Sequence, residues 1–340
     1  MGGDKLIILE DVCKEFKTVK KQEGLKGAFK GLFSRDYTLK KAVDKMSFTI
    51  SKGEIVGYIG ANGAGKSTTI KMMTGILTPS SGKVTVDGIV PYENRTENAK
   101  NIGVVFGQRT QLWWDLALRE TFTVLKEIYQ VSNEDFQYRM KFLDEVLGLN
   151  DFMATPVRSL SLGQRMRADL AASLLHNPKI LYLDEPTIGL DVMVKEKVRK
   201  AIKEINKEFG TTVILTTHDL NDIEELCNRI IIIDNGKKIY DGSIDEIKSA
   251  FGYMNKVEIK IKSVEALNKF NINQLLNSSE EDLFTEVVED SVIVNFNKNK
   301  IPVSDIIQVV MKECEVLDVS IKETSIEEIV KKIYRNEVNV

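Results

Sequence analysis

The sequence predicts an α/β protein: a layered domain built on a largely parallel sheet over residues 1–250, then a smaller α+β unit over 251–340. Three observations carry this. Short apolar strands alternate with amphipathic helical stretches up to about residue 240. A buried strand runs into a glycine loop that opens a helix. Near Gly242–Gly252 the charge balance changes, with 11 basic and 16 acidic residues beyond it, a net −5, against +2 before it.

In chain order, residues 5–12 and 43–50 read as early strands, separated by a basic insert at about 17–41. The insert carries eight lysines or arginines against Glu23 and Asp36, with Leu25, Phe29, Leu32 and Phe33 interleaved. It reads as a solvated surface hairpin, or as a basic amphipathic turn lying near anionic lipid or a membrane partner. Glu54–Ile59 is a buried strand. Further strands follow at Lys83–Asp87, Ile102–Phe106, Ile180–Leu183, Thr212–Thr216 and Arg229–Asp234, with helical patterns over 116–130, 134–148, 163–175 and 193–208. Apolar runs of this length suit parallel strands covered on both faces. The tail predicts strand 257–262, helix 263–276, strands 284–289 and 291–296, helix 302–314, strand 316–323 and a last helix from Thr324, where Thr-x-x-Glu327 resembles a capping box. That order suggests a ferredoxin-like α+β sandwich, a packing or dimerising module without chemistry of its own.

Composition excludes several classes. Hydrophobic residues make up 43% and charged residues 29%, and the net charge is −3, a balance that gives no general pull toward nucleic acid and leaves only a local basic patch open. Cys13, Cys227 and Cys314 are scattered and odd in number, which argues against a disulfide framework or a zinc site. Asp4, Glu10 and Asp11 interrupt any signal-peptide core, and no run of 18 apolar residues exists. A membrane role would need another chain to supply the membrane part.

The chemistry begins at Gly60, Ala61, Asn62, Gly63, Ala64, Gly65, Lys66 and Ser67, which match GxxxxGK[ST]. Glycines let successive N–H groups face phosphate oxygens at a helix N-terminus. Lys66 adds a point charge for the β/γ-phosphates, and the Ser67 hydroxyl suits Mg²⁺. The apolar run Ile180–Leu183 ends in Asp184 and Glu185: the first suits the Mg²⁺ water shell, the second is placed to polarise water.

Ser159-Leu-Ser161-Leu162-Gly163-Gln164 precedes that strand, Gly189-Leu190-Asp191 follows it, and His218 ends the next one. This ordered set, over about residues 5–243, resembles the ATP-binding cassette family. The resemblance implies a P-loop NTPase fold with a helical signature subdomain at about 108–176. It implies ATP as substrate and Mg²⁺ as cofactor, and a head-to-tail dimer with a second copy closing two ATP molecules. Ser161, Gly163 and Gln164 would meet the partner's nucleotide, and Asp191 would communicate between sites. Glu185 would be the general base and His218 the γ-phosphate sensor. Thr68 would complete the phosphate loop, and Ser67, Asp184 and a glutamine would surround the metal. Gln108 is the better candidate for that glutamine and Gln111 the alternative, because the loop reads one residue long. Phe16 stands where an aromatic normally stacks on adenine, with Tyr37 as competitor. Leu162 replaces the usual glycine, and a leucine tolerates positive φ poorly, so the signature geometry is expected to differ there.

Trp113 and Trp114 read either as buried aromatics or as an exposed anchor for a permease helix. The residues most resemble bacterial export-type ATPase subunits, which implies a location at the cytoplasmic membrane face, peripheral through a separate permease. A soluble cassette acting on ribosomes and a DNA-repair ATPase are the alternatives. A single phosphate loop argues against the first, and the lack of sustained heptads between Ser67 and Ser161 argues against the second.

Overall fold

The computed structural model describes residues 4–19, 37–107, 109–262 and 271–335. It divides into two compact units at Gly242/Ser243. The sequence placed this break eight residues later. Helix Ile244–Phe251, capped by Ser243, belongs with the second unit, where it packs on the final helix.

The first unit opens with β1 (Lys5–Val19) and β2 (Tyr37–Ser51), an antiparallel pair far longer than the strands expected at 5–12 and 43–50. Register shifts between Leu9 and Glu15 mark bulges, which let one ladder run from the core out to Val19. The basic insert at 17–41 falls at the end of this pair, and its residues 20–36 lie outside the described residues. Then come β3 (Ile55–Gly60), α1 (Lys66–Met73), β4 (Ser81–Val86), α2 (Arg95–Asn101) and β5 (Ile102–Phe106). The helical subdomain follows: α3 (Leu118–Ile128), α4 (Asn133–Leu147) and α5 (Leu162–Leu174). The unit closes with β6 (Ile180–Asp184), α6 (Val192–Phe209), β7 (Thr212–Thr216), α7 (Leu220–Leu226), β8 (Arg229–Asp234) and β9 (Lys237–Ser243).

A six-stranded sheet has the order β5-β6-β7-β3-β8-β9, and its pairs from β5 through β8 are parallel. Its central strands are apolar throughout because both faces are covered; β7 is buried along its whole length. A second, antiparallel sheet has the order β2-β1-β4. Ile70, Met72 and Met73 of α1 share one buried cluster with Ile7 and Val84 of that sheet and Tyr58, Tyr182 and Ile231 of the other. The helix carrying the glycine loop is therefore clamped in the main core, which anchors the loop's C-terminal end.

The second unit contains α8 (Ile244–Phe251), β10 (Met254–Ile261), α9 (Ile272–Leu275), β11 (Leu283–Val288), β12 (Ser291–Asn297), α10 (Val303–Glu313), β13 (Val316–Lys322) and α11 (Ile326–Tyr334). Its antiparallel sheet runs β11-β12-β10-β13, the split βαβ order of a ferredoxin-like sandwich. Alternate residues Val257, Ile259 and Ile261 point into a core with Val292, Val294, Ile306 and Val310. Of the helix expected over 263–276, residues 263–270 lie outside the described residues. The last helix is capped by Ser325, not Thr324: the Ser325 side chain accepts from Glu328 N, while the Thr324 hydroxyl donates to the Met254 carbonyl. Two adjacent hydroxyls compete for such a cap, and the strand pairing of Met254 decides which is free.

Candidate functional site

The glycine loop leaves β3 at Gly60 and enters α1 through Gly65, whose φ of 109° is open only to glycine at reasonable cost. A Cβ there would also stand 2.5 Å from the Ala42 carbonyl. Thr69 fixes the turn, donating from its hydroxyl to Gly65 O (3.1 Å) and accepting from Tyr58 OH (3.2 Å). The free N–H groups at the start of α1 make an anion-binding concavity. Lys66 is 7% exposed and its Nζ donates to Gly60 O (2.7 Å) and Ala61 O (3.3 Å), lying back along the loop. Burial lowers its pKa, and the nearby carboxylates of Glu185 and Asp184 oppose that shift.

Parallel pairing sets the acids beside the loop. Phe106, Asp184 and Thr216 lie level across β5, β6 and β7. Asp184 accepts from the Thr216 hydroxyl on Oδ1 (2.5 Å) and from the Ser67 hydroxyl on Oδ2 (3.3 Å). Glu185 leaves the strand with φ 59°, held there by its N–H on Thr216 O (3.0 Å). A non-glycine residue in the left-handed region carries strain that the surroundings must hold in place. Gly107 makes room for that turn, since a Cβ on it would lie 2.3 Å from Glu185 O. His218 Nε2 stands 3.0 Å from Glu185 Oε1. Burial raises the pKa of Glu185, and His218 and then Lys66 pull against it. The structure thus gathers Lys66, Ser67, Asp184, Glu185 and His218 into one site.

The signature residues form a separate group. Ser161 caps α5, accepting from Gln164 N (3.2 Å), while Gln164 Oε1 accepts from Ser161 N (2.9 Å). Gly163 is buried in the first turn. Leu162 opens the helix and is absent from the positive-φ residues, so the expected distortion does not occur: a helical position accepts leucine as readily as glycine. Among the described residues, no hydrogen bond joins Ser161 or Gln164 to residues 60–67. Asp191 caps α6, accepting from Val194 N (3.0 Å).

Gln108 lies outside the described residues. Gln111, the alternative, is committed to the signature helix: its Nε2 donates to Asp169 O (3.2 Å) and its N–H to Asp169 Oδ1 (3.1 Å). Thr110 donates to the same oxygen (2.9 Å). Phe16 lies within β1, exposed, with Lys14 Nζ 5.4 Å above its ring; the Tyr37 side chain lies outside the described residues. Trp113 and Trp114 are 39% and 49% exposed, so the buried reading fails. Arg165 stands 5.7 Å over the Trp114 ring, beside a cavity of about 210 Å³ lined also by Arg109 and Leu162.

Sequence reasoning missed Thr216, Thr187, Asp222 and Asp169. Thr216, Thr187 and Asp222 sit on a strand, a turn and a helix respectively, and their partners come from other elements. Asp169 left one signal, an acid set among the buried residues Ala168, Leu170, Ala171 and Ala172 of its helix. Burial pushes its carboxyl up to about 6 from an ordinary value of 3.8. The folded state therefore holds that proton more tightly than the unfolded chain. The resulting stabilisation is fully present below about pH 3.8 and is lost as pH rises through about 6, a change on the order of 2–3 kcal/mol. Asp169→Asn should abolish this segment. The stability of the native chain minus that of the variant, from urea titrations, is expected to fall between about pH 4 and pH 6.5; a flat difference would contradict the assignment.

Residues 43–188 match the family model described as ABC transporter. The chain is 34% identical over 207 residues to the ABC transporter ATP-binding protein NatA of Bacillus subtilis, covering 61% of this chain and 84% of that protein. It is 33% identical over 228 residues to the linearmycin resistance ATP-binding protein LnrL of the same organism, covering 67% and 73%. Among solved structures, the dimeric post-hydrolysis cassette MJ0796 bound to ADP and phosphate superposes with a TM-score of 0.58 at 28% identity, over 70% of this chain and 99% of that one. The phosphate loop, the paired acids and histidine, and the separate signature helix sit on a shared framework, and the chain belongs to the ATP-binding cassette transporter family, as an ATP-binding, ATP-hydrolysing subunit.

Proposed function

We propose that this subunit drives export through a separate membrane permease, working at the cytoplasmic membrane face as a head-to-tail dimer that closes over two ATP molecules. The carrying observation is the division of the site: Lys66, Ser67, Asp184, Glu185 and His218 meet in one place, while Ser161, Gly163 and Gln164 stand at another helix start. A complete site in this reading needs the signature of a second copy, and a structurally similar cassette is dimeric. In this reading residues Gly60–Thr68 cradle the phosphates, Phe16 stacks on adenine, and Ser161 presents a second helix N-terminus to the γ-phosphate. Glu185 takes a proton from water as its oxygen attacks the γ-phosphorus, the bond to the β-phosphate oxygen breaks, and ADP and phosphate leave. His218 holds the γ-phosphate and registers its loss, and Asp191 carries that information to the second site.

The Ser67 hydroxyl and the Asp184 carboxylate, 3.3 Å apart at the strand tip, are hard oxygen donors that suit Mg²⁺, with Gln108 as the further candidate. Bound there with ATP, the ion would neutralise charge on the phosphate oxygens. Among the described residues no helix is long and apolar enough to cross a membrane. Exposed Trp113 and Trp114 are the proposed anchor for the permease. The resistance named for one relative fits outward transport.

Affinity purification of the tagged chain from its native membranes in mild detergent tests this. A polytopic membrane protein should copurify in near-stoichiometric amount, and Trp113→Ala with Trp114→Ala should reduce its recovery at least about tenfold, in line with paired interface hot spots. Recovery of ribosomes or DNA in place of a membrane protein would overturn it.

A further inference from the structure

Asp222 is fully buried on α7, where a carboxylate carries a large desolvation cost unless every oxygen is engaged. Both oxygens are. Oδ1 accepts from Arg199 Nε on α6 (2.6 Å). Oδ2 accepts from the Thr217 hydroxyl (3.2 Å) and from the Thr187 hydroxyl. These two threonines lie beside the reacting pair in sequence: Thr187 is two residues after Glu185, and Thr217 immediately precedes His218. A parallel contact on the surface side, Lys195 to Asp219 (2.6 Å), joins the same two helices next to His218.

We propose that Asp222 is a positioning residue for ATP hydrolysis: one buried carboxylate binds the loop that follows Glu185 to the turn that carries His218, and so sets the separation of the two. The proposal rests on Glu185 being the base. It follows from the chain geometry. Glu185 sits in a left-handed conformation that its own side chain does not favour, and its N–H on Thr216 O together with contacts on either side hold it there. Upstream, the hold is strand pairing through Asp184; downstream, Thr187 supplies it through Asp222. His218 is 47% exposed, and the Thr217 bond to Asp222 fixes the backbone turn that carries it. Arg199 anchors the carboxylate to α6, whose first turn begins at Asp191. An apolar residue at position 222 would fill the space but could join none of these three.

A purely structural role would lower ATP affinity and stability together with kcat, whereas a positioning role lowers kcat alone.

The test uses the full chain with ATP, reading phosphate release and nucleotide affinity by equilibrium titration. Asp222→Asn is expected to lower kcat about 10–100-fold, as misplacement of a catalytic group does, with affinity for ATP changed less than about threefold. Thr187→Val leaves the Arg199–Asp222 pair in place and guards against simple unfolding. It should lower kcat several-fold with affinity and melting temperature unchanged. Loss of kcat and affinity together, or full activity in Thr187→Val, would each overturn the proposal. Failure of the underlying reading is distinguishable, because Glu185→Gln would then retain turnover whatever Asp222→Asn does.

Discussion

Glu185→Gln is expected to lower ATP turnover by about 10²–10⁴-fold, the usual contribution of a general base, while ATP still binds. The substitution is close to isosteric, and an amide at φ 59° meets the same backbone strain as the acid, so the strand tip should keep its course. What changes is proton affinity. Burial holds the Glu185 carboxyl above its ordinary range, nearer the working pH of a base, and His218 at 3.0 Å keeps it aimed. The amide also removes a negative charge from beside the phosphate site, so ATP should dissociate no faster. Bound but unhydrolysed ATP then holds two copies together, a population shift visible as an ATP-dependent dimer by size-exclusion chromatography. Steady-state hydrolysis at the native rate would remove Glu185 as the base.

Lys66→Ala is expected to weaken ATP binding at least about tenfold, and about 100-fold at the upper end for a charge-assisted contact of 1.5–3 kcal/mol. The reason is local charge. Lys66 is the cation that Asp184 and Glu185 both stabilise. Without it, a triphosphate must approach two carboxylates with one compensating charge fewer. The loop itself would also lose its Nζ contacts to Gly60 O and Ala61 O. Lys66→Arg should not rescue binding, because a planar fork does not fit where a compact ammonium lies back along a tight turn. Equilibrium titration with ATP decides it; an unchanged dissociation constant would exclude Lys66 from phosphate binding.

Much of the architecture was legible because its signals are local. Apolar runs bounded by turns located β5 and β7 to the residue, and the second unit's strand and helix order gave its sandwich topology. The extent of β1 and β2 was not legible. Polar residues such as Lys14, Lys17 and Lys40 carry no strand periodicity; they extend because each strand pairs with the other. The Leu162 expectation failed for a related reason: a departure from a family pattern shows that a residue differs, whereas the backbone angle decides whether the difference matters. Trp113 and Trp114 were undecidable until exposure was known, since a tryptophan pair reads equally as core or as anchor.

By itself the sequence determined which chemistry is available: a phosphate loop, two acids and a histidine in an order that requires a nucleotide, with each motif contained in a few consecutive residues. Tertiary structure alone decided how those pieces act on one another. Parallel pairing brings Asp184 level with Thr216, a left-handed turn aims Glu185 at His218, and Asp222 joins loops 30 residues apart that no local pattern connects. Motifs are written in adjacent residues because backbone geometry is local. Side-chain partnerships are set by which surfaces meet when the core closes, and the phosphate loop's partners, unlike the loop, come from that closure.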